Sequence, residues 1–595
     1  MRRPRLDRAI LAGAALSASF VAAVSFADAV GPALFIDPDP RWVWPRCALG
    51  LALAAIAAGA AAVARGALEL LRRAAAIVEP PPALDLPPAV LAAVAAMALL
   101  AGAALRLRAV EQIPFPLFHD ELLLLPPAME LQGRPADFRD AIRTVLDDSG
   151  RSSGSVGVLY LEGMRGATRI FGTTVLGIRL LSLAGGIVSL ATGTLLGMAL
   201  LPAGGGTLVA VILAGLRWHL ILSRWGWNMI VLVPFIDAAT ILALRARRGS
   251  RRGPAIAAGV VAGLGAHVYL SAWIAGASLA LFVAWPAPGR RIRPAAALTV
   301  ALGFALAAAP LFLLRSGRRA PYLVRASNHN VFVEMRLTRS ILPIAHAARD
   351  ALIAPWLPDP IPRNDVPGRP RLPLLVGIGL AAAIVRSLLR PRDDLPALML
   401  SQAGFAFATC LVWGETLMAN GSRFGYLTSL TAVASASGLL GLAAAVPAAA
   451  RRPAAWILVG ALAISGAPSI GQLERWDRLH EVYVDFCGQY TTVGRAAARW
   501  EAYGPVVVEE SHLYAPLPID VIQRYRILPR AEVPRDAPPG PRGPRRFRIC
   551  PPETKPTDGE RVVERVRDAW GRDWAVVLAR RDGAPRGVTA PVSGR

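Results

Sequence analysis

Lysine is almost missing from this sequence. Lysine and arginine together number 65, and Lys555 is the only lysine among them. Charge is sparse as well: 18% of the 595 residues are charged and 54% are hydrophobic, a balance too apolar for a soluble chain of this length. Four cysteines are present and none forms a CxxC pair, which argues against a cysteine-type zinc site. No stretch shows the alternation over roughly ten residues that a membrane barrel strand needs. No internal repeat stands out. The formal net charge of +24 is carried by arginines scattered among loops. Nucleic-acid binding needs them gathered on one face, so it is set aside in favour of anchoring to anionic lipid.

What the chain does have is apolar runs of roughly 20 residues, enough to cross a bilayer as helix. Met1-Arg2-Arg3-Pro4-Arg5 opens it, and the run from about Ala9 to Phe35 is longer than a signal-peptide core, so it reads as an uncleaved helix. Further spans fall at 43–64, 86–107, 174–200, 204–222, 228–245, 254–271, 272–287, 294–314, 373–389, 396–416, 425–447 and 454–468. The fold class expected is an all-α polytopic membrane protein with about 13 transmembrane helices. Three parts are expected: two N-terminal helices over 1–85, a membrane core over 86–468, and a C-terminal domain over 469–595.

Arginine placement sets the orientation. With the N-terminus inside, the inner turns carry Arg65, Arg72 and Arg73, then Arg245, Arg247, Arg248, Arg251 and Arg252. Arg290, Arg291 and Arg293 follow, then Arg386, Arg390 and Arg392, and last Arg451 and Arg452. This is the positive-inside pattern. It puts two long loops, 108–173 and 316–372, and the whole tail on the outer side. In the first loop, Ala136 to Asp148 and Val156 to Phe171 read as amphipathic helices of the interface plane. The second holds nine arginines and four acids, a balance of 9 − 4 = +5 where short loops are not basic. Arginine forks suit phosphate oxygens.

The tail carries strand-like runs at Pro505 to Val508 and Trp574 to Leu578, with a helix expected from Gly559 to Trp570, hence a small α/β domain. Cys47 and Cys410 lie in spans. Cys487 and Cys550 share the outer tail, where a disulfide between them is expected.

Phe118-His119-Asp120-Glu121 stand early in the first outer loop, shortly after a span. An acid there sits at the membrane surface, where it ionises and reaches a polar substrate from one side and a lipid from the other. Other pieces follow in order: Phe171-Gly172 with Arg179, Ser223-Arg224, Gly263 with Tyr269, Pro321 with Arg325 before Val331-Phe332, Pro367-Gly368, and Ser422-Arg423-Phe424-Gly425. From about 86 to 440 this order resembles the glycosyltransferases of the GT-C fold. The nearest group is glycosyltransferase family 39, the protein O-mannosyltransferases and the bacterial lipid A aminoarabinose transferase. One departure stands out: the family often has an acid shortly after the Ser-Arg piece, whereas Arg224 is followed here by Trp225-Gly226-Trp227-Asn228.

The resemblance implies a polyprenyl-phosphate sugar donor, an acceptor on the outer face, and Asp120 as catalytic base, with Glu121 in support. It implies a bacterial inner membrane protein. The leaving phosphate needs cations, and Arg224, Arg325, Arg336 and Arg423 are the candidates in outer turns. No cofactor is expected; a divalent ion at His119 is the alternative, but an isolated His-Asp-Glu run lacks ligand spacing. Sugar and acceptor (protein, lipid or polysaccharide) are open. Two other functions compete. A transporter or flippase of lipid-linked glycans would place polar sites at the bilayer midplane in broken helices; a silent family member would only bind glycan. Asp237, inside a span, reads equally as a pore residue or a packing residue, and Trp218, His219, Trp225 and Trp227 read as an aromatic belt.

Overall fold

The computed structural model describes residues 81–130, 157–249, 252–269, 271–288, 292–313, 335, 338–340, 342–359, 361–412, 424–501, 503–509, 518–519, 521–522, 527, 547–557 and 560–580. The two expected N-terminal spans and the amphipathic stretch at 136–148 lie outside these residues.

Runs of Ala, Leu, Val and Gly become helices because a chain shielded from water must satisfy its N–H and C=O groups internally. The helices of the core are α1 (Pro88–Leu107), α2 (His119–Glu130), α3 (Val158–Phe171), α4 (Val175–Leu200), α5 (Gly205–Gly215), α6 (Arg217–Leu222) and α7 (Asn228–Arg248). Then come α8 (Arg252–Gly265), α9 (Ala272–Ala284), α10 (Pro294–Ala308), α11 (Pro310–Leu313), α12 (Leu342–Ile353), α13 (Leu374–Leu389), α14 (Asp394–Val412), α15 (Thr428–Ala443) and α16 (Arg451–Gly466). Local signals set the ends. Proline occupies the first turn of α1 and α10, where its missing N–H costs nothing. The Thr174 hydroxyl accepts from Gly177 N at 3.1 Å and caps α4, directly after Gly172 closes α3 with φ of +70°.

Among the described residues, five helices are long and apolar enough to cross a membrane, or six if the pair α13 and α14, bent by 101°, is one span. Large apolar side chains point outward from them: Leu100 is 72% exposed, Ile464 73% and Leu374 79%. Such surfaces need lipid around them. Inside, small residues let helices close up; a Cβ at Gly438 of α15 would clash with Gly379 O of α13.

The tail adds α17 (Pro468–Asp477), α18 (His480–Asp485) and α19 (Gly488–Glu501), then β1 (Val506–Val508), β2 (Phe547–Cys550), β3 (Glu560–Arg567) and β4 (Asp573–Arg580). The sheet runs β1-β2-β4-β3, with β1 parallel to β2 and the other pairs antiparallel. Its helix-covered face joins Val493, Ala497 and Trp500 of α19 to Phe547, Ile549 and Val577. Both expected strands are present, but the expected helix from Gly559 to Trp570 is β3 instead. Pairing with β4, register Val562 with Leu578 and Val566 with Ala575, overrides its local pattern.

The expected disulfide is absent: Cys487 and Cys550 are not bonded to each other. Strand alternation is the reason. Phe547 and Ile549 face the helices, whereas Cys550 packs with Val576 and Leu578 on the other face. Cys487 stands at φ of +55° in the turn that opens α19, on the helix side.

Candidate active site

The segment from 108 to 118 joins α1 to α2 and leads to Asp120 and Glu121 in the first turn of α2. Burial of Val110, Leu117 and Phe118 orders part of it, and buried guanidinium groups hold its main chain. Arg179 of α4, fully buried, donates to Val110 O at 3.0 Å, Pro114 O at 2.8 Å and Pro116 O at 2.8 Å. Arg224 donates from Nε to Ile113 O at 3.2 Å, from Nη1 to Leu105 O at 2.8 Å and Arg106 O at 3.0 Å, and from Nη2 to Arg108 O at 2.5 Å and Ile113 O at 3.0 Å. A guanidinium has five N–H groups. All five of Arg224 are engaged by main-chain oxygens, so the expected phosphate contact gives way to a clamp on this segment. Burial first, then Arg179 nearby, pushes the Arg224 guanidinium down to about 10.

Glu121 is also fully buried. Its Oε2 accepts from Phe118 N at 2.7 Å, the helix-to-cap bond of a capping box, which fixes the first turn of α2. Its Oε1 accepts from Arg179 Nε at 3.2 Å and from Gly226 N. Glycine is required at 226, since a Cβ there would meet Glu121 Oε1 at 2.9 Å and Ile178 O at 3.2 Å. Neighbours on a helix diverge by about 100°. With Glu121 turned into the protein, Asp120 is turned towards the surface and is half-buried in the same first turn.

The aromatic residues after Arg224 are interior, not a belt. Trp225 and Trp227 stack at 5.1 Å, and Phe118 meets them edge-on at 5.4 and 6.1 Å. Phe486 of the tail closes on Phe118 at 6.0 Å. The Trp227 carbonyl accepts from Ser182 Oγ at 2.7 Å. His219 is buried too, its Nε2 2.7 Å from Ser189 Oγ and its Nδ1 2.6 Å from Arg106 Nη2. Asp237 has a packing role: its Oδ2 accepts from Thr192 at 2.7 Å and Ser429 at 2.8 Å, tying α7 to α4 and α15.

Of the basic second loop, Arg325 and Arg336 lie outside the described residues, as does Arg423 beyond the loop. Part of the excess charge is matched in place. Arg371 pairs with Asp359 at 2.9 Å, and Arg363 pairs with Asp485 at 2.8 Å while lying 4.6 Å over the Phe118 ring. Asp365 receives Arg217, which also donates to Pro370 O at 2.7 Å and Gln472 Oε1 at 2.6 Å. Burial, the largest influence, pushes the Arg371 guanidinium down. Sequence reasoning missed Arg217, Arg363 and Asp485; nothing in their local sequence distinguishes them from solvated charges.

No family model matches the chain, and no curated protein matches it. Among solved structures it is similar to ArnT from Cupriavidus metallidurans in the apo state, at 14% identity, with 84% of this chain and 98% of that chain covered and a TM-score of 0.43. It is similar to the same protein bound to undecaprenyl phosphate at 13% identity, 82% and 97% coverage and a TM-score of 0.38. The Archaeoglobus fulgidus oligosaccharyltransferase tethered with an acceptor peptide is similar at 14% identity, 74% and 63% coverage and a TM-score of 0.41.

Proposed function

We propose that the protein is a membrane glycosyltransferase that moves a sugar from a polyprenyl-phosphate donor to an acceptor hydroxyl on the extracytoplasmic face. The observation that carries this reading is a half-buried carboxylate, Asp120, in a first helical turn that Glu121, Arg179 and Gly226 hold rigidly. A positioned base needs that support.

Asp120 takes the proton of the acceptor hydroxyl as its oxygen bonds to the anomeric carbon. The bond from that carbon to the phosphate oxygen breaks, and its electron pair leaves with the polyprenyl phosphate. Charge at the anomeric carbon develops as in an oxocarbenium ion. Arg325, Arg336 and Arg423 are the proposed phosphate ligands; Arg224 is withdrawn from that set because its donors hold main-chain oxygens. Sugar and acceptor identity are left open.

The test is Asp120→Asn, which keeps size and hydrogen bonding but cannot accept the proton. With a panel of undecaprenyl-phosphate hexoses and pentoses, turnover at saturating donor falls by about 10²–10⁴-fold. Near-full turnover in the variant, with normal expression, makes Asp120 a solvated helix end and removes the enzyme reading's main support.

A further inference from the structure

The segment that leads to Asp120 is held from two sides. Arg179 and Arg224 grip it from the membrane core. The opposite grip comes from the tail, hundreds of residues away in sequence. Phe115 N donates to Asp477 Oδ1 at 2.6 Å, and Leu117 N donates to the buried Thr491 Oγ1 at 2.9 Å. Arg108 pairs with Glu474 at 2.6 Å, and Arg495 lies 4.6 Å over the Phe115 ring. Val521, Ile522 and Ile527 of the tail share one apolar cluster with Leu117 of the segment and with Leu122 and Leu125 of α2.

Two of these contacts act on the main chain. Here α17 and α19 bond to two main-chain N–H groups of the segment, three and five residues before Asp120. Main-chain donors have no rotamer freedom, so their acceptors fix backbone position directly. The core grips carbonyls of the stretch, and the tail grips two of its N–H groups, with a longer bond from Thr491 Oγ1 to Leu117 O at 3.4 Å.

We infer that Asp477 and Thr491 are positioning residues through which the tail sets the place of Asp120. The tail is then part of the catalytic unit. The inference rests on the general-base reading of Asp120.

The experiment uses the full chain in lipid nanodiscs with three variants. Thr491→Val keeps shape and removes the acceptor; Thr491→Ser restores it; Asp120→Asn is the control. Amide hydrogen exchange over residues 113–118 needs no substrate. It rises in Thr491→Val and returns to the parent level in Thr491→Ser. With the undecaprenyl-phosphate sugar panel, kcat falls about five- to tenfold in Thr491→Val, the size of one lost buried hydrogen bond. KM for the donor stays within about twofold, because the donor's contacts are intact. Unchanged exchange, or raised exchange with parent-level kcat while Asp120→Asn is inactive, overturns the inference alone. Full turnover in Asp120→Asn instead sinks the general-base reading.

Discussion

Glu121 and Asp120 are neighbours with opposite surroundings, and they are expected to fail in opposite ways. Glu121 is a fully buried carboxylate that answers a fully buried guanidinium, Arg179. Removing one partner of such a pair leaves the other charge uncompensated, at a cost of about 3–5 kcal/mol. Glu121→Gln therefore lowers the thermal midpoint and yield of the detergent-solubilised protein more than Asp120→Asn does, while Asp120→Asn has the larger effect on turnover. A Glu121→Gln protein that melts with the parent would contradict the buried pairing. Gly226→Ala tests the same nest from the backbone side. Its Cβ would sit 2.9 Å from Glu121 Oε1, and overpacking of this kind costs about 1–3 kcal/mol, read as a lower melting midpoint. The sequence alone marked His119-Asp120-Glu121 as central because the acids follow a long apolar run at the expected membrane surface and match the outer Asp-Glu of the family it resembles. It did not reveal that Arg224 serves the backbone, since the carbonyls of residues 105–113 are invisible in a list of side chains.

Element by element, legibility followed the range of the interactions. The amphipathic stretch from Val156 corresponds to α3, whose Val158, Leu161 and Met164 are buried against the core, because helical periodicity is a local property. Residues 560–567 read as helix since Glu, Arg and Val suit either state; the pairing with β4 that decides the matter lies beyond the segment itself. The cysteine pairing failed for a related reason. Two cysteines in one small domain look close in sequence terms, but the sheet stands between them. Two thiols are accordingly expected in the unfolded, non-reduced protein. In the folded protein a maleimide modifies Cys487 and spares Cys550, which is buried, bonded to Glu509 and pushed up to about 12, mainly by burial. A mass shift for a Cys487–Cys550 bridge would refute this. The sheet is also expected to weaken in acid. The Thr557 hydroxyl, more than Arg548, holds the Glu560 carboxyl below its usual range, and Arg567 followed by Arg565 does the same for Asp573. Lowered carboxyl values give stability that is present above the unfolded value and lost as pH falls through the folded one. Exchange protection of β3 and β4 should be flat near neutrality and drop below about pH 4.

At the scale of the whole molecule, three apolar runs among the described residues are single long helices with small boundary shifts. The expected span at 86–107 is α1, that at 174–200 is α4, and that at 228–245 is α7. The run at 204–222 became α5 and α6, and the runs at 373–389 and 396–416 became a pair bent by 101°, because hydropathy reports composition and not direction. Orientation rests on the arginines. Arg247 and Arg248, at the end of α7, both pair with Asp394 at the start of α14, at 3.0 and 2.7 Å, so two expected inner turns meet at one end of the bundle. Asp120 and the tail meet at another place, through Asp477, Thr491 and the segment from 108 to 118. If the positive-inside rule holds for this chain, the arginine-rich end is cytoplasmic, and the end carrying Asp120 and the tail is outside. A reporter fused after Arg595 decides it. Alkaline phosphatase, which folds to activity only outside, is expected to be active there, and green fluorescent protein is expected to be dark when exported through the general secretory route. Fluorescent fusions with inactive phosphatase would place the tail inside. Because the tail's α17 and α19 bind the segment before Asp120, that result would carry the carboxylate inside too, and an acceptor on the outer face would have to be abandoned with it.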